Sequence, residues 1–295
     1  MTFTLRAGRR CMLARVEDWA NHHAPSPDGR SRRLSEMALP GISAQLIVYG
    51  GRQNEDLGGV LGELAAIGYA GAEIGANFID GDWDAVKQAF ADNGLACSGV
   101  HSGYASISDQ DWQSKAIDFL QAVGVKYIIC SGVAPGEGIE PYEKSADVFN
   151  AWGARCRDNG LVFCYHNHAW EFEPHGGVKG IHRLCELTDP AVVKLNTDVY
   201  WVTVGGERPE EFIDRYSDRV GYYHFKDGPY TPSGAVAPGP YQFTELGRGT
   251  VDLEAALAAA LKYDPTWITY EQDRSELAPA AACRISFEYL KSIGL

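Results

Sequence analysis

No part of the 295-residue sequence approaches the roughly 18 consecutive apolar residues that a membrane-spanning helix requires. The N-terminus also lacks the apolar centre of a secretory signal, so the expected compartment is the cytoplasm. Cys-x-x-Cys pairs are absent. The seven cysteines (Cys11, Cys97, Cys130, Cys156, Cys164, Cys185 and Cys283) are odd in number and scattered, which reads as reduced, mostly buried thiols. Basic charge is scarce: 26 Lys and Arg face 39 Asp and Glu, a net charge of -13 that disfavours nucleic acid and anionic lipid as partners. Methionine is nearly missing, with three residues, the last at Met37.

What is present is enough apolar material, 45% of residues, for a sizeable core. Residues 1–36 stand apart. They carry seven arginines against four acids and no apolar period, and are expected to be an irregular leader, with Met37 as the physiological start. From Ile42 onward, short β-branched runs alternate with stretches of helical period, as in βα units around a parallel sheet. Eight strands are expected: Ile42–Tyr49, Ala70–Ile74, Ala96–His101, Tyr127–Ser131, Val162–His168, Val193–Asp198, Val220–Lys226 and Trp267–Glu271. Helices are expected over Asn54–Ile67, Trp83–Asn93, Asp109–Ala122, Pro141–Asn159, Gly180–Leu187, Pro209–Tyr216, Leu253–Tyr263 and Ala278–Ile293. Gly68, Gly94, Gly124 and Gly160 stand where helices should stop. Eight units in about 255 residues fit an α/β fold with a single (β/α)8 barrel over 37–295. A doubly wound open sheet is the alternative, but Tyr49-Gly50-Gly51-Arg52 is a poor phosphate turn. The Gly- and Pro-rich stretch Gly228–Thr250, with Tyr230 and Tyr241, is long for a βα turn. It reads as a lid, a subunit contact that leaves a homo-oligomer open, or a plain surface excursion.

In such a barrel the active site forms at the C-terminal strand ends. Here those ends carry Glu73, His101, Tyr165-His166-Asn167-His168, Asn196-Thr197-Asp198, His224-Phe225-Lys226-Asp227 and Glu271. Alternation pairs His166 with His168, Asn196 with Asp198, and His224 with Lys226 on common faces. Converging imidazoles and carboxylates suit Mn, Co, Zn or Fe as a divalent cofactor, with open positions for catalysis. Blander readings stand beside these: Asp198 and Glu271 as helix caps, Lys226-Asp227 as a surface ion pair, any single histidine as a structural residue. His22 and His23 lie in the leader and take no role.

The stretches Gly68-Tyr69-Ala70-Gly71-Ala72-Glu73, Tyr165-His166-Asn167-His168-Ala169-Trp170-Glu171-Phe172, Asp198-Val199-Tyr200-Trp201, His224-Phe225-Lys226-Asp227-Gly228 and Glu271-Gln272-Asp273 span nearly the whole barrel. Through them Met37–Leu295 resembles the xylose isomerase-like TIM-barrel superfamily of sugar isomerases, epimerases and keto-inositol dehydratases. The resemblance implies a metal held by His166, Asp198, His224 and Glu271. Ketose epimerases have a glutamate where this sequence has His166, with His168 and Glu171 as other strand-five candidates. Lys226 matches a lysine of the keto-inositol dehydratases.

The implied chemistry is removal of a proton α to a carbonyl, through an enediolate. Glu271 or His168 is the expected base and Lys226 or His101 the acid, with substrate contacts from Glu73, Asn167, Trp201 and Arg248. Trp170, Trp201 and Tyr200 offer an apolar wall for a sugar ring. A sugar or keto-sugar isomerase or epimerase is the first reading, and a lyase acting on inososes or 3-keto-glycosides the alternative. Only Arg52, Arg248 and Lys226 are candidates to bind phosphate, which favours an unphosphorylated sugar or polyol. Two other classes share the architecture: an endonuclease of abasic DNA, which the negative charge opposes, and a non-catalytic sugar-binding subunit.

Overall fold

The computed structural model describes residues 38–230 and 242–295. Eight parallel strands close on themselves in chain order: β1 (Gly41–Gln45), β2 (Gly71–Gly75), β3 (Ala96–Gly103), β4 (Tyr127–Ser131), β5 (Val162–His166), β6 (Val193–Asp198), β7 (Val220–Phe225) and β8 (Trp267–Tyr270). β1 pairs with β8 through Gly41 opposite Trp267, which completes the (β/α)8 barrel and excludes the open sheet. The principal helices are α1 (Leu57–Ile67), α2 (Trp83–Asn93), α3 (Gln110–Val123), α4 (Glu140–Asp158), α5 (Gly180–Leu187), α6 (Pro209–Arg215), α7 (Leu253–Leu261) and α8 (Pro279–Ser292). Among the described residues no helix is long and apolar enough to cross a membrane, and the six cysteines are free.

Local chemistry sets the helix ends. Asp56, Asp82, Asp109 and Asp252 each accept a backbone N–H from the first turn that follows, at about 1 kcal/mol per cap. Asp56 also accounts for one departure from expectation. The helix expected over Asn54–Ile67 is split into a single turn, Arg52–Glu55, and α1, because the Asp56 carboxylate caps a new start at Gly59 N–H. Gly94 closes α2 in the left-handed region at φ 65°, where a side chain would be strained.

Several strands are shorter than expected. β1 gives way to a 3-10 turn at Leu46–Tyr49, β5 stops at His166, β7 at Phe225 and β8 at Tyr270. Lys226 and Glu271 thus sit just past the last ladder residues, although Glu271 N–H still donates to Phe225 O. Several short elements were not expected, among them helices Tyr104–Ile107 and Val199–Val204, 3-10 turns at Ala76–Asp80, Trp170–Phe172 and Ser217–Arg219, and a ribbon pairing Pro174–His175 with Val178–Lys179.

Two register shifts matter for the site. Between β6 and β7, Leu195 pairs with Val220 but Asn196 pairs with Tyr222, so Gly221 is an extra residue on β7. The bulge carries His224 opposite Asp198; an unbroken register would have put Tyr223 there. A Cβ at position 221 would lie 2.7 Å from Cys164 Sγ and from Lys194 Cβ, so glycine is required. The β2–β3 register shifts likewise between Ala72 and Glu73.

Gly228–Thr250 is tied down at its base. Asp227 is buried and accepts N–H groups from Gly228, Gly247, Gly249 and Val251 at 2.9–3.2 Å. Of the stretch expected to be a lid or subunit contact, residues 231–241, Tyr241 included, lie outside the described residues. The expected leader 1–36, with Cys11, His22 and His23, lies outside them too, as does the expected start at Met37.

Candidate active site and metal centre

Four side chains from consecutive strands meet at the C-terminal mouth of the barrel: His166 ends β5, Asp198 ends β6, His224 lies on β7 and Glu271 follows β8. One ligand-type atom from each lies within 4.8 Å of the others, and all four residues are buried. A buried Asp198 Oδ2 has no hydrogen-bond partner among the described residues, and His224 Nδ1 and Glu271 Oε2 face each other as an ion pair. A buried carboxylate oxygen without a hydrogen-bond partner beside two imidazoles leaves donor atoms free for an ion, and this nitrogen and oxygen donor set fits a divalent transition metal. His166 is thus the strand-five member of the group. Glu171 is turned elsewhere, its oxygens accepting from Tyr165 O–H at 2.7 Å and His168 N–H at 2.8 Å.

Capping and a metal role for Asp198 are compatible. Its Oδ1 accepts Trp201 N–H at 3.0 Å and starts the Val199–Val204 helix, while Oδ2 is left for the cluster. Burial, only partly offset by Lys226, pushes the Asp198 carboxyl up to about 7. Glu271 goes the other way: burial opposes ionisation, but the Lys226 and His224 charges bring it well below the ordinary carboxylate range. Burial would lower His224, yet Glu73 and Glu271 on either side push it up to about 10.

A second trio, Glu73, His101 and His224, is also compact. Hydrogen bonds account for it without an ion. His101 Nδ1–H donates to Glu73 Oε1 at 2.9 Å and His224 Nε2–H to Glu73 Oε2 at 2.7 Å. Glu73 therefore turns His224 Nδ1 toward the cluster, as carboxylates do behind metal-binding histidines. Each of its oxygens has a histidine partner and it is fully buried, so in this arrangement it braces two histidines, where the sequence led us to expect a contact to a substrate hydroxyl. His101 Nε2 accepts from Ser131 Oγ–H, so both of its nitrogens are committed.

Lys226 is buried, which corrects the surface-ion-pair reading. Its Nζ donates to Glu271 Oε1 at 3.1 Å, pairs with Asp273, and lies 4.8 Å from the Trp201 ring centroid and 4.5 Å from that of Phe243. Burial lowers its proton affinity, but the carboxylates of Glu271, Asp198 and Asp273 outweigh it and hold the ammonium charged. His168 stacks on Trp170, with ring centroids 3.9 Å apart and planes at 13°, and its buried Nδ1 has no hydrogen-bond partner among the described residues. Burial and the nearby Lys226 charge lower it to about 3.

Two residues expected to contact substrate have partners of their own within the chain. Asn167 is buried against Asp198, its Oδ1 accepting Asp198 N–H at 3.1 Å and its Nδ2 donating to Asp198 O at 3.3 Å. It braces the strand end. Arg248, half exposed, pairs with Glu245 at 3.0 Å. Trp201 is at the site, over Lys226, and Trp170 is 43% exposed at its edge. Ser131, Phe243 and Asp273 are the partners missed from sequence. Ser131 closes a strand that ends in neither carboxylate nor imidazole, whereas Asp273, in the stretch Glu271-Gln272-Asp273, lies two residues past Glu271, the same alternation that pairs His224 with Lys226, and could have been read from it.

Residues 61–293 match the model of a family described as xylose isomerase-like TIM barrel. An inosose dehydratase of Geobacillus kaustophilus (strain HTA426) is 26% identical over 267 residues, covering 78% of this chain and 85% of that protein. Among solved structures, a sugar phosphate isomerase/epimerase from Parabacteroides distasonis ATCC 8503 has a TM-score of 0.71 at 21% identity, covering 91% of this chain and 98% of that one. The IOLI protein, solved with a zinc atom, has a TM-score of 0.66 at 17% identity, covering 86% and 97%.

Proposed function

The chain belongs to the xylose isomerase-like TIM-barrel family, and from that premise we propose that it is a divalent-metal enzyme that removes a proton α to a carbonyl of a sugar or cyclic keto-polyol. The observation that carries the reading is the buried convergence of His166, Asp198, His224 and Glu271 around an unpartnered carboxylate oxygen. Bound by these four residues, a divalent ion supplies Lewis-acid polarisation of the carbonyl and its neighbouring hydroxyl. The zinc of the IOLI protein supports a metal of this class.

The protein's own groups take the remaining tasks. Lys226 brings a fixed positive charge into the same buried volume and favours an enolate over the neutral ketone. A proton affinity held high makes it an electrostatic group in preference to the acid expected from sequence. His168 is the candidate base by position, its Nδ1 having no hydrogen-bond partner among the described residues, although burial and the Lys226 charge make its ring a weak one. His101, bonded through both nitrogens, positions Glu73. Trp170 and Trp201 supply apolar surface for the substrate ring.

Expulsion of a β-hydroxyl after this step gives dehydration, and return of the proton elsewhere gives isomerisation or epimerisation. The match to an inosose dehydratase over 85% of its length favours dehydration. So does His166, an imidazole where a two-carboxylate epimerase needs its second glutamate. An unphosphorylated substrate is supported by the three candidate phosphate cations. Arg52 pairs with Glu63, Arg248 with Glu245 and Lys226 with Glu271.

The test is incubation of protein loaded with Mn, Co or Zn with inososes and keto-sugars in heavy water. Loss of water with growth of enone absorbance supports the dehydratase. Deuterium in a recovered isomer supports the isomerase instead. Neither exchange nor elimination with any member of the panel would overturn the proposal.

A further inference from the structure

An imidazole ligand makes a demand that a carboxylate does not. Either carboxylate oxygen has a lone pair to offer, whereas a neutral imidazole has one nitrogen with a lone pair and one with a proton. His166 binds a cation only if its proton is on the nitrogen that faces away.

β5 and β6 pair His166 directly with Asn196. Both are buried, and Asn196 Nδ2 lies 3.3 Å from His166 Nδ1, the one hydrogen-bond contact the ring makes among the described residues, so the arrangement inferred below is this amide turned over. Nε2 is therefore the nitrogen left for the cluster. An asparagine amide presents either its NH2 or its oxygen to the same neighbour, since the two ends are alike in size. With NH2 toward Nδ1, that nitrogen accepts and the ring proton sits on Nε2, aimed at the metal position. With Oδ1 toward Nδ1, that nitrogen donates and Nε2 has the free lone pair. Oδ1 has no hydrogen-bond partner among the described residues, so no other contact holds it in place.

We infer that Asn196 is a positioning residue that turns its amide oxygen to His166 Nδ1–H and so fixes Nε2 as the metal-ligating atom. The inference rests on the metal reading above and adds the residue that makes a histidine usable at strand five. It explains why β6 carries a polar amide at a buried position one ladder step inside Asp198, where an apolar side chain would pack more cheaply. Asn196 acts through His166 and is not itself a ligand.

The test uses the full chain with Asn196→Leu, which cannot accept, and Asn196→Asp, which still can. A long-range ¹H–¹⁵N spectrum of the chelator-treated wild type is expected to show the His166 proton on Nδ1. Competition of Zn²⁺ against a fluorescent chelator is expected to show affinity about 10–100-fold weaker in Asn196→Leu and within that loss's lower bound of wild type in Asn196→Asp. Thermal unfolding with chelator confirms that both variants fold. A proton on Nε2 in the wild type, or Zn²⁺ affinity in Asn196→Leu equal to wild type, would overturn the inference and leave the metal site standing. A wild type that takes up no divalent ion would overturn the metal reading, and this inference with it.

Discussion

Glu171 is a fully buried carboxyl among apolar and aromatic neighbours, and its ionisation sets a measurable cost. Burial raises it from an ordinary 4.5 to about 7, even though Tyr165 O–H and His168 N–H donate to it. At about 1.4 kcal/mol per pH unit, ionised Glu171 destabilises the fold by about 3 kcal/mol above pH 7. The sign follows from the direction. Below 4.5 the group is protonated in both folded and unfolded chains and costs nothing, and the cost grows as pH rises and is complete above the folded value. Glu171→Gln removes the charge and keeps the contacts: the amide oxygen accepts His168 N–H, and the NH2 donates to a Tyr165 hydroxyl turned to accept. At pH 8.5 the variant is expected to be more stable by up to about 3 kcal/mol, or about 6–12 °C at 2–4 °C per kcal/mol for a chain of this size. At pH 4.5 the two proteins should nearly coincide. Paired thermal melts with chelator read the difference, from which all other titrating groups cancel. An offset equal at both pH values, or a variant less stable at pH 8.5, would refute the assignment of this buried charge.

Three further outcomes follow from the site and the barrel. Zn²⁺ or Mn²⁺ at a hundredfold excess over its dissociation constant should stabilise the wild type by about 2.7 kcal/mol. Calorimetry should show that increment lost in His224→Ala and Asp198→Asn, and an undiminished increment would remove both from the ligand set. Glu73→Ala, which frees the His224 ring, should weaken metal affinity about 10–100-fold in the chelator competition. Affinity equal to wild type would mean that His224 is held by other contacts. Gly221→Ala must push Cys164 or Lys194 aside at the bulge and should cost about 1–3 kcal/mol in denaturant unfolding. A neutral effect would show that the β7 bulge tolerates a side chain.

The alternation of β-branched and helical stretches was enough to read eight βα units, and Tyr127–Ser131, Val193–Asp198, Trp83–Asn93 and Gly180–Leu187 run as expected. These elements follow from local periods and caps, which depend on neighbours a few residues away. The metal set implied by the family resemblance, His166, Asp198, His224 and Glu271, falls in one compact buried group, and that polar residues gather at this rim was legible for a related reason. A parallel barrel puts every strand's C-terminal end on one face, so polar residues there meet whatever the loops do.

Roles within that cluster depended on contacts between strands distant in sequence. Glu73 stands at a strand end as a substrate group would, and only the packing shows that its two oxygens accept from His101 and His224. Asn167 turned out to brace Asp198, and Lys226 to be a buried charge between Glu271 and Asp273. The bulge at Gly221 had no sequence signal beyond one glycine, yet it decides that His224, and not Tyr223, stands beside Asp198. The sequence by itself determined the elements, their order and the residue types at the rim, because those are set by local propensity and strand direction. Only the tertiary structure decided which nitrogen or oxygen of each group is taken and which is free. That is set by barrel closure and register, which no local pattern encodes.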